Sequence, residues 1–455
     1  MTENRRDAFD VRWDVVRYTR GRGLDVGYQG QKLFPHMLGI DNTDNLSMFS
    51  SQSMDFVFIS NAKADEQEKL FRDCWRLLKY SGHLCVHGPV VADMEKVGAW
   101  DLMEKTDNLL VYRKQHSGFR YSYRDPEPSK RAAVVRYGAF GDIIQAANLF
   151  PELQKQGYHV TFYTNERGEE IAKTDPYVDD LYVQGTDQVP NYLLSEFWDH
   201  EKKKYEKWVN LSETVEGTLL AMPGRSNHEW PQEVRHAMMN VNYLEFTHDI
   251  AQVPYVFKGR FHPTDQEKTW AKRERAKLGN FVIMWPLAGS SVHKVWPHMD
   301  ALIARIMLQT DAEVIFTGDY FSKLLEQGWE KEKRVLLKSG EWSIRQTLAF
   351  IDECDCLIGP ETGVMNAAAF LPMHKIIFLS HSTQENLTKH WKNTQAFCSP
   401  ETPCYPCHRL HKGWDFCTMH EESTTALCQW NIDVDRVWDH LYAYFRDYSI
   451  QRKQG

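Results

Sequence analysis

The chain has 455 residues, enough for two or three domains with full cores, and its 42% hydrophobic and 25% charged content is ordinary for a globular protein. It has no apolar run of about 18 residues, which excludes a membrane-spanning helix, and its polar start, MTENRRDAFDVRWD, argues against a secretory signal peptide, so we expect a cytoplasmic protein. The net charge of −8, of which residues 118–260 carry about −5 by formal counting, does not indicate a nucleic-acid binder.

The first segment, residues 1–116, predicts a small α/β domain. Its predicted strands are GLDVG, MDFVFISN, HLCVHG and NLLVYRK, its helix is EQEKLFRDCWRLLKY, and LGIDN reads as an acidic turn. Strands that alternate with helices favour a parallel sheet covered by helices. The polar, proline-containing stretch 117–130 predicts a linker.

Two further α/β sets follow the linker. Residues 131–260 open with AAVVRYGAFGDIIQ, read as strand, glycine turn and helix, and residues 261–430 contain the strands NFVIMWP, AEVIFTG, CDCLIGP and KIIFLS. A final helix is predicted within residues 431–455. The pattern predicts two doubly wound, Rossmann-like domains that face a cleft, where ligands bind beyond the carboxyl ends of the strands.

The glycine turn of the second set carries a carboxylate. Gly138 and Gly141 precede Asp142 at a strand–helix junction, where glycines let a substrate approach the backbone and a helix start favours negative charge. Asp142 is either a helix N-cap or a carboxylate base beside the cleft.

Two loops of the third set have side chains suited to a nucleotide diphosphate. WPLAGSSVHKVWPH offers the hydroxyl of Ser290 and the cation of Lys294, which could hold a diphosphate and neutralise its charge, although a surface loop would read the same way. In TGDYFSK, Asp319 could accept a ribose hydroxyl.

The loop GPETG before the helix NAAAF is a third such element. It places Glu361, Thr362 and Gly363 after a buried strand, and the backbone N–H groups at a helix start can bind an anion. The helix begins with small residues, which let it lie close to the sheet.

These motifs together resemble the glycosyltransferase family that includes the ADP-heptose:lipopolysaccharide heptosyltransferases, glycosyltransferase family nine. RYGAFGDIIQAANLFPEL, TFYTNERGEEIAKTDPYVDDLYV, GSSVHKVWP, GPETGVMNAAA and the cysteines of CYPC…C…C follow the family's order over about residues 131–445. The resemblance implies a GT-B fold and an inverting transfer that needs no cofactor. It also implies that Asp142 deprotonates the acceptor, and that Ser290, Lys294 and the Thr362–Gly363 backbone bind the donor diphosphate.

Two positions depart from the family pattern. The family's aspartate is Glu361 here, and its histidine is Asn366. The extra methylene of glutamate moves the carboxylate by about 1.5 Å. Since the resemblance implies that this position contacts the donor, we expect a donor sugar other than heptose.

Five of the nine cysteines lie within residues 398–428. Four have the spacing C-x2-C-x9-C-x10-C, namely Cys404, Cys407, Cys417 and Cys428. Four thiolates could bind structural zinc tetrahedrally; reduced thiols and disulfides are the alternatives.

The first segment resembles class I S-adenosylmethionine methyltransferases. GLDVGYQG, LGIDN, SMDFVFISN and FRDCWRLLKYSGHLCVHGP match successive motifs, so Asp25, Gly27 and Gly30 would line an S-adenosylmethionine site and Asp41 would take ribose hydroxyls. Tyr28-Gln29 stands where a small pair is usual and crowds that site. The domain is therefore either a degenerate docking or dimerisation module or an active methyltransferase.

The sequence thus predicts an inverting glycosyltransferase with a nucleotide-diphosphate sugar donor. The acceptor is a surface glycan such as lipopolysaccharide, or a hydroxylated base in phage DNA, which places the protein in a bacterial or phage-infected cell. A methyltransferase and a non-catalytic scaffold are the alternative functions.

Overall fold

A computed structural model describes residues 8–41, 43–60, 62–115, 130–212, 214–287, 292–411, 413 and 416–454. The predicted linker lies outside the described residues except for Lys130, and so does Ser290. None of the described helices is both long enough and apolar enough to cross a membrane. The chain forms two compact units: one is drawn from Met1–Ala133, Tyr163–Glu166 and Tyr182–Trp208, and the other from Val134–Phe162, Arg167–Leu181 and Val209–Gly455.

Within the described residues, sixteen strands, β1 to β16 in chain order, build three sheets. They are Gly23–Val26, Leu38–Ile40, Met54–Ser60, Leu78–His87, Trp100–Lys105, Leu109–Lys114, Arg131–Val135, His159–Asn165, Asp180–Gln184, Lys207–Asn210, Val282–Pro286, Glu313–Thr317, Val335–Leu337, Cys356–Pro360, His374–Phe378 and Thr394–Phe397.

The α-helices, α1 to α16 in chain order, are Arg12–Val15, Gln67–Leu77, Met94–Val97, Phe140–Ala146, Phe150–Lys155, Glu166–Ala172, Leu194–Glu201, Thr214–Thr218, Gln232–Met239, Tyr243–Ala251, Asp265–Arg275, Met299–Gln309, Ile344–Phe350, Gly363–Ala368, Leu427–Trp430 and Val434–Gln454. Short 3₁₀ turns occupy Val16–Tyr18, Thr43–Met48, Asn191–Leu193, Lys202–Lys204, Ser226–Glu229, Val292–Lys294, Tyr320–Glu326 and Ile351–Glu353, and Gln384–Thr388 is a π-turn.

The first sheet has the order β2-β1-β3-β4-β6-β5. The strands β2, β1, β3 and β4 run parallel, and β6 and β5 are added antiparallel at one edge. The four predicted strands are present. The sequence LGIDN, predicted as a turn, begins with the short strand β2, and β5 was not predicted, because WDLMEK lacks the β-branched residues that mark strands.

The second sheet has the order β10-β7-β8-β9, and the third has the order β13-β12-β11-β14-β15-β16 with every strand pair parallel. All five residues of β11 and all five of β14 are buried, as expected for a sheet covered on both faces. The predicted α/β class with doubly wound parallel strands is confirmed. The order of the strands reverses between β11 and β14, so the loops after these two strands border the crevice where open sheets of this kind bind ligands.

The start of α4 and the start of α14 meet through two glycines. A Cβ atom added at Gly363 would lie 2.9 Å from the backbone nitrogen of Gly141, and one added at Gly141 would lie 2.9 Å from the Nδ2 atom of Asn366. Gln145 on α4 also donates a hydrogen bond of 3.3 Å to the Oδ1 atom of Asn366 on α14. Glycine at both positions therefore allows the two helix starts to lie in backbone contact.

We expect Gly363→Ala to lower the free energy of unfolding by about 1–3 kcal/mol, because the added methyl group would overlap backbone atoms that cannot move aside. Gly217→Ala is the matched control: Gly217 lies within α8 and no atom lies within 4 Å of its added Cβ. The control should be neutral or slightly stabilising. Urea unfolding measures both, and equal stability of the two variants would contradict the close helix contact.

Candidate functional site

Asp142 is the third residue of α4, and both of its carboxylate oxygens have partners. Oδ2 accepts a hydrogen bond of 2.8 Å from the backbone N–H of Ala139, which closes the helix start. A Cβ atom at residue 138 would lie 2.6 Å from Oδ2, so glycine is required there. The N-cap of α4 is Ala139, and not Asp142 as one interpretation of the sequence had it; Asp142 caps the helix from its third position instead, and its side chain remains 28% exposed.

The other carboxylate oxygen of Asp142 is bound by a buried arginine, Arg136. The sequence did not predict a role for this residue. The Nη2 atom of Arg136 lies 2.8 Å from Oδ1 of Asp142, and the same guanidinium binds both carboxylate oxygens of Glu216 at 2.9 Å. Nη1 also donates to the carbonyl oxygen of Leu211 at 2.9 Å. Burial alone would lower the pKa of Arg136, but the charges of Asp142 and Glu216 outweigh it and raise that pKa.

Lys294 lies at the end of the turn Val292–Lys294, after β11. Its ammonium group donates a hydrogen bond of 2.7 Å to the backbone carbonyl of Glu361, at the end of β14. Burial lowers the pKa of Lys294, and the negative charges of Glu361 and Asp142 oppose this shift. Among the residues that the structure describes, no carboxylate lies within ion-pairing distance of Lys294, so its charge is only partly compensated.

The Glu361 side chain lies in a buried polar pocket formed by the loop after β15. Oε2 accepts a hydrogen bond of 2.7 Å from the Ser380 hydroxyl and lies 2.8 Å from Nδ1 of His381, and Oε1 accepts the backbone N–H of Ser382 at 3.2 Å. Burial would raise the pKa of Glu361, but His381, Lys294 and the Ser380 hydrogen bond together hold it well below its ordinary value. Glu361 therefore remains ionised.

The other predicted donor-binding residues stabilise the ends of short helices. Thr362 caps α14 by accepting the N–H of Met365 at 3.4 Å, and the exposed Asp319 caps the turn Tyr320–Glu326 by accepting the N–H and the hydroxyl of Ser322. Asn366 donates from Nδ2 to the carbonyl of Thr362 at 3.1 Å. The described part of the predicted site thus brings Asp142, Lys294 and the residues 361–366 together, with Asp319 after the neighbouring strand β12.

Three histidines extend this site. The ring of His293 lies 5.5 Å from that of His381 and 5.2 Å from that of His411, measured between centroids. His293 is buried, and neither of its ring nitrogens has a hydrogen-bond partner among the described residues. Burial and the neighbouring His381 and Lys294 lower the pKa of His293 to about 2, so this imidazole is neutral. Its position directly before Lys294 was the only sequence signal for it.

The cysteine cluster consists of free thiols. In the described part of the chain all nine cysteines are unpaired, and no group of three or more histidine, cysteine or acidic side chains is placed to hold a metal ion. Burial raises the pKa of Cys407 to about 12 and that of Cys417 to about 11, so both thiols are protonated at neutral pH. Zinc bound by the four predicted cysteines stays a prediction.

In the first sheet, the two carboxylates of the predicted S-adenosylmethionine site accept hydrogen bonds from the backbone of the protein itself. Oδ1 of Asp41 accepts the backbone N–H of Gln29 at 2.7 Å, and the buried Asp25 accepts the N–H of Leu33 at 2.6 Å. A Cβ atom on Gly39 would lie 2.6 Å from the Tyr28 ring, so this ring lies directly on β2. Gly27 and Gly30, which lie between β1 and β2, adopt positive φ angles of 81° and 79°.

No family model matches the chain, and no curated protein matches it. The solved structures similar to it include ADP-heptose lipopolysaccharide heptosyltransferase II of E. coli, with 13% identity over 70% of this chain and 99% of that chain and a TM-score of 0.48. A family 9 glycosyltransferase from Veillonella parvula has 14% identity over 59% and 86%, with a TM-score of 0.47. The iron-containing dodecameric glycosyltransferase TibC of enterotoxigenic E. coli has 13% identity over 74% and 85%, with a TM-score of 0.44.

We expect Glu361→Gln to lower the free energy of unfolding at pH 7 by about 3 kcal/mol, because it removes the charge of a buried carboxylate whose oxygens are bound by Ser380, His381 and the N–H of Ser382. The folded pKa of Glu361 lies below its ordinary 4.5. Its stabilisation is therefore complete above pH 4.5 and is lost as the pH falls towards the folded value.

Urea unfolding of wild type and variant at pH 7 and pH 3.5 measures this effect, with Glu341→Gln as the control, since Glu341 is an exposed residue paired with Lys338. The control should change stability by less than about 1 kcal/mol at either pH. A Glu361→Gln deficit that is the same at both pH values would contradict the ionised buried state.

We expect S-adenosylmethionine at about 1 mM to leave the melting temperature of the wild-type protein unchanged, because Asp41 is already bound to the Gln29 N–H and the Tyr28 ring crowds its predicted site. Differential scanning fluorimetry provides the measurement. A rise in melting temperature that Asp41→Ala abolishes would instead support an active methyltransferase.

Proposed function

We propose that this chain is an inverting glycosyltransferase that moves a sugar from a nucleotide-diphosphate donor to an acceptor hydroxyl. The observation that carries the proposal is that an incompletely compensated lysine, Lys294, lies near a partly exposed carboxylate, Asp142, beside the switch point between β11 and β14. A cation and a carboxylate at this position provide the two functions that the reaction needs.

Lys294 is the proposed anchor for the donor diphosphate. Its ammonium group is bound to a carbonyl and has no carboxylate partner in the described part of the chain, so an incoming diphosphate would supply the missing countercharge. The Lys294 charge would then stabilise the nucleoside diphosphate as it leaves, which is where negative charge develops. Ser290, Asp319, Thr362 and the backbone of Gly363 are the further proposed donor contacts.

Asp142 is the proposed base. The acceptor oxygen attacks the anomeric carbon and gives its proton to the carboxylate, while the bond from that carbon to the diphosphate oxygen breaks and its electron pair leaves with the nucleoside diphosphate. Arg136 and the Ala139 N–H fix the carboxylate, which reduces the reorganisation needed at the moment of proton transfer. No metal or organic cofactor takes part in this proposed reaction.

The acceptor is proposed to be a surface glycan such as lipopolysaccharide or a hydroxylated base in phage DNA. The charge of about −5 over residues 118–260 supports the glycan, because a DNA groove requires clustered cations. A DNA acceptor would make binding steeply salt-dependent, whereas a neutral glycan would not. Residues 1–116 are proposed to be a degenerate docking or dimerisation module, since Asp41 is bound to the Gln29 N–H and the Tyr28 ring lies on β2 at the predicted cofactor site.

We expect Asp142→Asn to lower kcat by about 10²- to 10⁴-fold while the donor dissociation constant changes little, because the variant loses the base but keeps the shape of the site. Lys294→Met should instead weaken donor binding by about 10- to 100-fold, as expected for a lost charged hydrogen bond. Release of nucleoside diphosphate from a panel of nucleotide sugars gives the rates, and calorimetry gives the affinities.

Lys338→Met is the control, because Lys338 is paired with Glu341 on the surface. If the Asp142→Asn variant keeps the wild-type kcat, Asp142 is not the base. If calorimetry detects no binding of any nucleotide sugar to the wild-type protein, the scaffold alternative would replace the proposed enzyme.

A further inference from the structure

A cavity of about 480 Å³ lies away from the proposed transfer site. It touches Ala147, just after the last turn of α4, whereas Asp142 is at the first turn, and five residues of helix separate the two by about 7.5 Å along the axis. The opposite wall is the segment 258–262, which leads into α11. The cavity is of the size that small-molecule sites have.

Hydrogen bonds hold the walls of this cavity in place. The backbone N–H of Gly259 donates to Oδ1 of Asn148 at 2.6 Å, and a Cβ atom at residue 259 would overlap the Asn148 side chain. The Thr174 hydroxyl donates to the carbonyl of His262 at 2.5 Å. The connection between the second and third sheets is therefore fastened to the helices that form the other wall, and the cavity is preformed.

The floor of the cavity is polar and aromatic. The side chain of Asp175 is only 5% exposed, and its Oδ1 accepts the N–H of Tyr177 at 2.9 Å. His262 Nε2 lies 4.0 Å from the same oxygen, and the Tyr177 ring meets the His262 ring edge-on at 6.1 Å. Burial raises the pKa of Asp175 to about 6, and burial together with Arg260 and Lys268 lowers the pKa of His262 to about 4. A carboxyl group, a neutral imidazole and an aromatic ring are the groups that bind sugar hydroxyls and ring faces.

The rim of the cavity carries three cations, Lys155, Lys258 and Arg260. Lys155 is paired with Glu152, and Arg260 lies 3.7 Å from Asp352 in a half-exposed pair, so both are only partly neutralised. Lys258 is exposed and has no ion-pair partner among the described residues. Three cations around one opening, in a segment with a net charge of about −5, form a local positive field that attracts an anion.

We propose that this cavity is a second ligand site that binds a phosphorylated sugar. Lys155, Lys258 and Arg260 contact the phosphate, and Asp175, His262 and Tyr177 contact the sugar. The ligand touches the segment 258–262, which joins the second and third sheets.

Isothermal titration calorimetry with glucose 6-phosphate at about 150 mM salt tests the proposal, with glucose and inorganic phosphate as separate arms. Glucose 6-phosphate should bind at least about 10-fold more tightly than either fragment, because each fragment loses one half of the contacts. Lys258→Ala and Arg260→Ala should each weaken it by about 10-fold, as for a lost charge-assisted hydrogen bond. Lys272→Ala, at an exposed position of α11 outside the cavity, is the control and should have no effect.

Asp175→Ala should reduce the preference for glucose 6-phosphate over inorganic phosphate, and its melting temperature shows whether the variant is folded. Equal affinity of the wild-type protein for glucose 6-phosphate and inorganic phosphate would show that Asp175, His262 and Tyr177 do not bind the sugar. Binding that Lys294→Met abolishes, and that Lys258→Ala and Arg260→Ala leave intact, would place the ligand in the transfer site and overturn the proposal. Absence of binding in every arm would overturn it as well, whether or not the chain transfers a sugar.

Discussion

The contact between Gly141 and Gly363 is the constraint on which the proposed site depends. It joins the start of the helix after β7 to the start of the helix after β14, and a side chain at either position would separate them. Because helix starts lie at the carboxyl ends of the strands in sheets of this kind, the contact brings together the two edges where such sheets bind ligands. Asp142 follows one glycine directly, and Thr362 precedes the other. The carboxylate and the donor loop are thus neighbours as a consequence of backbone packing.

The charges around this contact are compensated unequally. Arg136 has two carboxylate partners, and Glu361 has His381, Ser380 and the N–H of Ser382. In the described part of the chain, Lys294 has a carbonyl as its hydrogen-bond partner, and Glu361 and Asp142 compensate its charge only at longer range. Since an incompletely compensated charge at a partly buried position is costly, Lys294 lowers the stability of the protein by an amount that a bound anion would offset. The uneven compensation is therefore better explained by a ligand than by folding alone.

The sequence predicted the elements of this fold well because most strands are short apolar runs bounded by glycine or polar residues, as in CLIGP and VIMWP. It failed where that signal is weak, at β5 and at the short strands β2, β13 and β16. Asp142 and Lys294 were found because both lie in loops that follow strands. Arg136 was missed because an arginine directly after an apolar strand reads as a surface residue, and only the fold shows that Glu216, 80 residues away in the sequence, pairs with it.

The sequence also did not predict which groups the Glu361 side chain contacts. These contacts change the expectation that position 361 determines the donor sugar. The added methylene was expected to move a carboxylate relative to the donor, but this carboxylate is bound by the loop 380–382. To reach a donor, it would have to give up these buried hydrogen bonds, at a cost on the order of 3–5 kcal/mol. A donor would therefore have to offset this cost with its own interactions before the Glu361 carboxylate could contact it. Glu361 is therefore better placed to orient its own carbonyl, which binds Lys294, than to contact the sugar. If the residue at position 361 influences donor specificity, it would then do so by changing the position of Lys294.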